Sequence, residues 1–501
     1  MFDLLNSTNN LSAFLQTNGD SLFEISNVNY EQLKEEKTKL ETFILFHRDK
    51  IETLDFSINR NRAFLLLLFD LCERLRLSGC LEQIYILLKK YEIKIGCRLQ
   101  AATLFNFGIP DNELYISRFD EICQLLGTAQ QEEEDDYKKV VATFANYYLT
   151  VLDRHEIWIN RLREKVLNSI DLFPFLSQEF ISQLLSFDVK YITQCFFEIQ
   201  NLKDNLFGRF FIETSISKEQ FLIEENNNYV TQINSIQNIS FDIIRRIAKD
   251  NVEYNSKLDN RGVTPLITVD DMFTYLKNYG NMHYAKMYSA LDMLPSQDIK
   301  SDIEIVDWGC GQALASLTFI EYCKNKKISI ERLSITLIEP SELAIKRAAL
   351  HTKLFFSKSN IKTICKYIDD VKIDDVKTKP DSIKIHLFSN ILDVELFSIS
   401  NLENLIINSQ FGKNYFICVS PYIDDLKTER VDSFNRYFKI NYTSNYTSFG
   451  EETNNKCDDK FWNCNNKFNG NFNGRYCKQP HPKYGCSEQW TRVIRVFKIE
   501  L

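Results

Sequence analysis

The chain has 501 residues, 44% hydrophobic and 26% charged, with a formal net charge of -8. That length exceeds what one hydrophobic core usually serves, so two or more domains are expected. The acidic balance argues against a general phosphate-binding surface but leaves room for a local basic face.

Its 38 Phe and 23 Tyr supply bulky core material, and only 15 Gly and 9 Pro interrupt it. Long helices fit this better than a many-turned all-β fold. Residues 1–10 are polar and do not read as a secretory signal. The apolar run 63–69, bounded by Arg60, Arg62, Asp70 and Glu73, is far too short to span a membrane and reads as a buried helix. Spaced apolar positions predict helices over 30–50, 61–75, 81–91, 140–167, 180–202 and 233–248. The acidic run 131–136 is expected to start or precede a helix. Residues 1–255 therefore read as a helical accessory region for substrate recognition or a protein partner. His47 and His155 stand alone there and read as surface or packing residues. Glu132 to Asp136 read as a solvated face.

After about residue 256 the pattern changes. Short β-branched runs predict strands over 303–306, 333–338, 361–365, 383–388 and 415–419. Residues 438–442 and 490–499 would complete the sheet. Helices over 313–323 and 342–355 alternate with the strands. The expected class is α/β: a helical N-terminal region, then a Rossmann-like mixed sheet over 256–501 with a cysteine-containing insertion at 450–489. Ligands of such sheets bind beyond the strand C-termini, near the topological switch.

The sharpest segment is Ile303-Glu304-Ile305-Val306-Asp307-Trp308-Gly309-Cys310-Gly311-Gln312-Ala313. A buried strand runs into a tight turn and then a helix. Gly309 and Gly311 permit the turn and a close approach of backbone to ligand. Asp307, at the strand end, can orient the turn or meet a ligand cation. One unit later Glu339-Pro340-Ser341 ends a strand and opens a helix; Glu339 can accept from two ribose hydroxyls. A dinucleotide fingerprint needs a third Gly where this chain has Leu314.

These residues resemble the class I S-adenosylmethionine-dependent methyltransferases over about 260–501. The resemblance implies that Asp307, Gly309 and Gly311 hold the methionine moiety of S-adenosylmethionine and that Glu339 binds its ribose. Asp369 or Asp370 would stand near the adenine amine. His386-Leu387-Phe388-Ser389-Asn390-Ile391-Leu392-Asp393 is similar to the family's fourth-strand motif, with Ser389 and Asn390 able to orient a substrate. Upstream, 279–291 resembles a helix placed over the donor pocket, from which Tyr279, His283 and Lys286 could approach the ligand. His283 and Lys286 are three apart and share a helix face.

Methyl transfer depends chiefly on in-line positioning, so few residues announce the acceptor. The Asn/Asp-Pro-Pro-Tyr signature of many amino-group nucleic-acid methyltransferases is absent, which weakens an adenine-N6 assignment. His386 reads as a core or pairing residue. Ser420-Pro421-Tyr422 could border the acceptor pocket or form a turn. Cys310 and Cys418 read as packing.

Cys457, Cys464, Cys477 and Cys486 lie seven, thirteen and nine residues apart in a polar stretch with five basic and two acidic residues. Four thiolates could close a Zn²⁺ site or hold an iron–sulfur cluster, with His481 a substitute ligand. Unbound thiols or a disulfide are the other readings. Aromatics there, including Trp462, Phe468 and Tyr476, could stack on RNA bases or cover a small core. The other nine Cys are scattered, which fits a reducing cytoplasm, and no membrane association is expected. The sequence thus points to methyl transfer from S-adenosylmethionine to an unidentified acceptor, a small molecule or RNA. The alternative is a catalytically inactive, methyltransferase-like interaction scaffold.

Overall fold

Capping side chains cut two long apolar periodicities into shorter helices. The computed structural model describes every residue except 1, 9, 28–29, 133–136, 178, 208–220, 254–257, 259–263, 296–298, 300, 396 and 455–491. Where the sequence predicts one helix over 140–167 there are two, Tyr137–Leu152 and Glu156–Ser169. His155 lies between them in extended backbone, and its ring nitrogen accepts from the Ile157 N–H at 3.3 Å. The expected helix 233–248 divides into Asn228–Asn234 and Phe241–Asp250, the second capped by Ser240. Residues 30–50 and 180–202 also divide into shorter helices, at Glu36 and His47 without a capping side chain. An apolar stripe continues across such breaks, but a capping side chain competes locally for the backbone and stops the helix.

Two compact units result. One takes in Met1–Ser215 and Asp424–Glu429; the other is built mainly from Ile216–Leu258, Thr264–Ile423 and Arg430–Leu501. In the first, the helix Asn59–Arg74 is buried all round from Ala63 to Arg74. Its apolar side chains anchor one core, and a second core gathers about Tyr137–Leu152. The same helix carries Asp70 and Glu73, which pair with Arg98 inside the unit. Burial opposes ionisation of Asp70, but Arg98, Lys139 and Arg74 together hold its carboxyl down to about 2. No helix among the described residues is long and apolar enough to cross a membrane.

The second unit is a helical N-terminal part followed by a mixed, Rossmann-like sheet. In chain order its main elements are α1 (Phe241–Asp250), α2 (Val269–Leu291), β1 (Ser301–Trp308), α3 (Leu314–Asn325), β2 (Ile330–Ile338), α4 (Glu342–Phe355), β3 (Asn360–Ile364), β4 (Ile383–Ser389), α5 (Ile399–Ser409), β5 (Lys413–Ser420), α6 (Asp425–Asn441, of this unit from Arg430 onward), β6 (Tyr446–Asn454) and β7 (Arg492–Glu500). The seven strands run in the order β3-β2-β1-β4-β5-β7-β6. The first five are parallel, while β7 is antiparallel to β5 and to β6. Side chains alternate with period two. Ile303, Ile305, Leu337, Ile385, Leu387 and Ile417 face a core shared with α1 to α4. Val306, Trp308, Ile338, Phe388, Phe416 and Cys418 face a second core under α5 and α6. Helices on both faces explain why the central strands read as continuous apolar runs.

The sequence places a strand at 438–442, and the structure corrects this. Phe434, Phe438 and Tyr442 are four apart, and their rings follow one another at 5.2 and 6.1 Å along the C-terminal end of α6. The strand is β6, an edge strand with few aliphatic residues and therefore a weak apolar pattern. The insertion between β6 and β7, with its four cysteines, lies outside the described residues.

A buried ion pair fastens the segment before α1 to α4. Arg347 donates to both oxygens of Glu224 at 2.6 and 2.7 Å, and its guanidinium stacks over Tyr229 at 3.9 Å. Glu224→Ala strands a buried charge, and removing one partner of such a pair costs about 3–5 kcal/mol. Urea unfolding should show a loss of that size; unchanged stability would contradict the role given to this pair.

Candidate functional site

The site forms where the sheet reverses its order. From β1 the chain steps outward to β2 and β3, then returns to place β4 on the other side of β1. The C-terminal ends of β1, β2 and β4 therefore lie side by side, at the switch point where open α/β sheets bind ligands.

Gly309 has φ +61° and Gly311 φ +52°, a region that suits glycine. A Cβ on Gly309 would also lie 2.8 Å from the Ile391 side chain. The turn is tied to β2 by the Cys310 N–H, which donates to the Ile338 carbonyl at 2.9 Å. Ala313, in the left-handed conformation at φ +65°, leads into α3 without a capping side chain.

Asp307 and Glu339 end adjacent strands and hold this turn. One Asp307 oxygen accepts from the Ser316 N–H at 3.2 Å and the Ser316 hydroxyl at 2.6 Å. Glu339 accepts from the Gly311 N–H and the Ser341 N–H, each at 3.0 Å. Both carboxyls are buried, at 1% and 8% exposure. No cationic side chain among the described residues forms an ion pair with either. Burial pushes Asp307 up to about 7, the Ser316 hydrogen bonds opposing and the Glu339 charge adding to the rise. Burial likewise lifts Glu339 to about 7 against its two backbone hydrogen bonds.

The end of β4 meets α2. Lys286 donates to the Asn390 side-chain carbonyl at 2.7 Å. That turns the Asn390 amide nitrogen toward His283 Nε2, at 3.2 Å. The Tyr275 hydroxyl lies 2.6 Å from the same ring nitrogen. Nε2 is then the acceptor of both, and Nδ1–H donates to the Ser389 hydroxyl at 3.0 Å. This tautomer is assigned from the network. Asn390 stands at φ +58°, its N–H bonded to the Val419 carbonyl at 2.8 Å.

The structure thus brings Asp307, Gly309, Gly311 and Glu339 together at one turn, and His283 and Ser389 together at the end of β4. Tyr279 is buried beside Tyr275, the ring centroids 5.4 Å apart. Asp369 follows β3 and accepts from the Ser398 N–H and the Asn401 amide at the start of α5. His386 is a core residue: it accepts from the Trp308 indole at 3.3 Å, bonds Asn414 at 3.0 Å, and is held down to about 4 by burial. Cys310 and Cys418 are buried, and burial raises both thiols. Ser420 donates to Asp393 at 2.8 Å.

Two contributors escape a sequence reading. Ser316 is an ordinary residue of the first turn of α3, visible only because a buried Asp307 needs donors. Tyr275 lies eight residues before His283, and that helical spacing is the signal that could have found it. Cys457, Cys464, Cys477 and Cys486 lie outside the described residues; among the described residues no group of three or more His, Cys, Asp or Glu could hold a metal.

No protein-family model matches the chain, and no curated protein matches it. Several solved structures do. One is a Listeria monocytogenes protein described as a class I S-adenosylmethionine-dependent methyltransferase, at 12% identity and TM-score 0.29, covering 78% of this chain and 89% of the other. Another is the plantazolicin methyltransferase in complex with SAH, at 13% identity and TM-score 0.28, covering 54% and 99%. A third is a SAM-dependent methyltransferase from Leishmania major, at 9% identity and TM-score 0.27, covering 56% and 98%. Scores this low decide nothing by themselves. Five parallel strands with the order reversing at β1 and β4, and an antiparallel β7 inserted beside β5, decide the architecture. The C-terminal unit has a Rossmann-like fold.

The turn held by Asp307 and Glu339 carries a pH signature. A carboxyl with a raised folded-state pKa contributes its full stability below its unfolded value, about 4. That stability is lost as pH rises through the folded value near 7. Asp307→Asn removes one such group while keeping an acceptor for Ser316. In urea unfolding the variant should therefore gain on the wild type between about pH 4 and pH 7 and hold that gain above it. A stability difference independent of pH would show that Asp307 is already ionised and compensated.

Proposed function

We propose that the C-terminal unit binds S-adenosylmethionine and transfers its methyl group to an acceptor that enters beside Asn390. The observation that carries this reading is the pair Asp307 and Glu339: two buried carboxyls without a cationic partner among the described residues, bracketing a glycine turn at the switch of the sheet. A ligand that is both cationic and rich in hydroxyls fits that setting. Positive charge near Asp307 and Glu339 would favour their ionised forms. The glycine turn admits a ligand close to backbone.

When bound, S-adenosylmethionine supplies an electrophilic methyl group on a sulfonium. The chain's own part is positioning, which can account for much of such a rate enhancement. Asp307 holds the first turn of α3 through Ser316 and sets the charge of the methionine end. Gly309 and Gly311 keep that end free of side chains. Glu339 would accept from the ribose hydroxyls. Asp369, through Ser398 and Asn401, steadies the loop that would border the adenine. His283 and Lys286 fix the Asn390 amide, and Ser389 and Asn390 would orient the acceptor.

Calorimetry with S-adenosylmethionine should show saturable binding. Losing a hydrogen bond to a charged group costs about 1.5–3 kcal/mol, so Asp307→Asn and Glu339→Ala should each weaken binding by about ten- to a hundredfold. Transfer of labelled methyl to total RNA and to a low-mass metabolite fraction would then separate the two acceptor classes. Folded protein without donor binding would overturn the proposal in favour of the scaffold reading. Full affinity in both variants would mean that the donor sits elsewhere.

A further inference from the structure

The hydrogen bonds at the end of β4 fix which protons that end can give. Lys286 is a donor only, and it donates to the Asn390 side-chain carbonyl at 2.7 Å. The Asn390 amide is thereby oriented, with one N–H toward His283 Nε2 at 3.2 Å. The Tyr275 hydroxyl reaches the same nitrogen at 2.6 Å. Nε2 thus receives two donors, and the ring's proton, on Nδ1, goes to the Ser389 oxygen at 3.0 Å. Lys286 and His283 are buried, while Ser389 and Asn390 are half-buried.

An amide nitrogen carries two hydrogens and a hydroxyl one. The second Asn390 N–H and the Ser389 O–H find no acceptor among the described residues. The end of β4 therefore presents donors. An amino group undergoing methylation spends its lone pair on the methyl carbon and turns its own hydrogens to its surroundings. It needs acceptors, and here it would meet two donors. A carboxylate has acceptor sites only, so it matches both groups.

The same network bears on proton removal. A hydroxyl acceptor must lose its proton to a base within reach. His283 supplies none, because both its ring nitrogens are engaged. A carboxylate is already ionised near neutral pH and requires no base.

We propose that the methyl acceptor is a carboxylate, held by the Ser389 hydroxyl and the Asn390 amide, and that the product is a methyl ester. This rests on the donor binding proposed above. One carboxylate oxygen attacks the methyl carbon; the O–C bond forms as the C–S bond breaks, and the electron pair of the broken bond returns to sulfur. An anion and a sulfonium become a neutral ester and a neutral thioether, so no proton is transferred. Lys286 and His283 are positioning residues, acting through Asn390 and Ser389.

Ligand-observed NMR on the full chain, without donor, would screen a set of carboxylic acids and the amines of the same skeletons. The acids should bind. Ser389→Ala should weaken them about ten- to a hundredfold, the effect of losing a hydrogen bond to a charged group. Ser389→Thr, which keeps the hydroxyl, should restore most of that affinity. Labelled S-adenosylmethionine would then be incubated with the chain and either the low-mass fraction or the total protein of a cell extract. Methyl esters release volatile methanol in mild alkali, whereas methylamines and methyl ethers do not. The label should be alkali-labile, and the fraction that holds it identifies the source of the carboxylate. Amines that bind as well as the acids, acid binding unchanged in Ser389→Ala, alkali-stable label, or no transfer by protein that binds the donor would each overturn the proposal. Acid binding without donor binding would overturn the function proposed above, and the ester with it, leaving a carboxylate site alone.

Discussion

Two carboxyls taken out of water without a cation are costly, and the C-terminal unit is arranged around that cost. Desolvation alone would keep such groups protonated near neutral pH. Asp307 offsets part of it through the Ser316 N–H and hydroxyl, and Glu339 through the Gly311 and Ser341 amides. Those four donors come from the turn after β1, from the first turn of α3 and from the start of α4. The same bonds that ease the burial also set the shape of the turn. The burial in turn depends on parallel strands covered on both faces, which leaves the ends of β1 and β2 shielded by helices. An environment that disfavours two negative charges is one in which a cationic ligand gains most, because its field is little screened in a low-dielectric site.

The end of β4 is built by a different device. Its residues are fixed from outside the sheet, by a helix that precedes every strand in the chain. Lys286 sets the orientation of the Asn390 amide, which sets the role of His283, which orients Ser389. Each bond specifies the next, so the network has one consistent proton arrangement. Asn390 also occupies a left-handed backbone position, uncommon for a residue with a side chain. Strain held by a surrounding network is a feature of functional positions, and here it lies next to the carboxyl pair rather than at a remote turn.

The glycine turn after β1 was legible in the sequence because its requirements are local. Glycines at positive φ, an acid at a strand end and an acid one unit later appear as adjacent letters, and the structure places Asp307, Gly309, Gly311 and Glu339 together. The contact of His283 with Ser389 spans 106 residues; it was approachable only through a family resemblance, since no periodicity encodes it. Tertiary partners explain the rest. Ser316 looks like any small residue of an amphipathic helix. Residues 438–442 looked like a strand because aromatic residues suit both elements, and Phe434, Phe438 and Tyr442 settle into a helix by packing. Edge strand β6 is too polar to announce itself. In the helical half, caps such as His155 and Ser240 divide stripes that periodicity joins, and the counter-charges of Asp70 and Glu73 come from Arg98, about a quarter of a hundred residues away in sequence.

In the function proposed above, the buried carboxyls accept the charge of a cationic donor. A ligand that does this must drive their ionisation, and protons must leave the protein as it binds. The direct measurement is calorimetry of S-adenosylmethionine binding in two buffers of different ionisation enthalpy, at about pH 6.5 and again at about pH 8.5. Net proton release is expected at the lower pH, declining at the higher one and diminished in Asp307→Asn. Donor binding with the same heat in both buffers at the lower pH would contradict it.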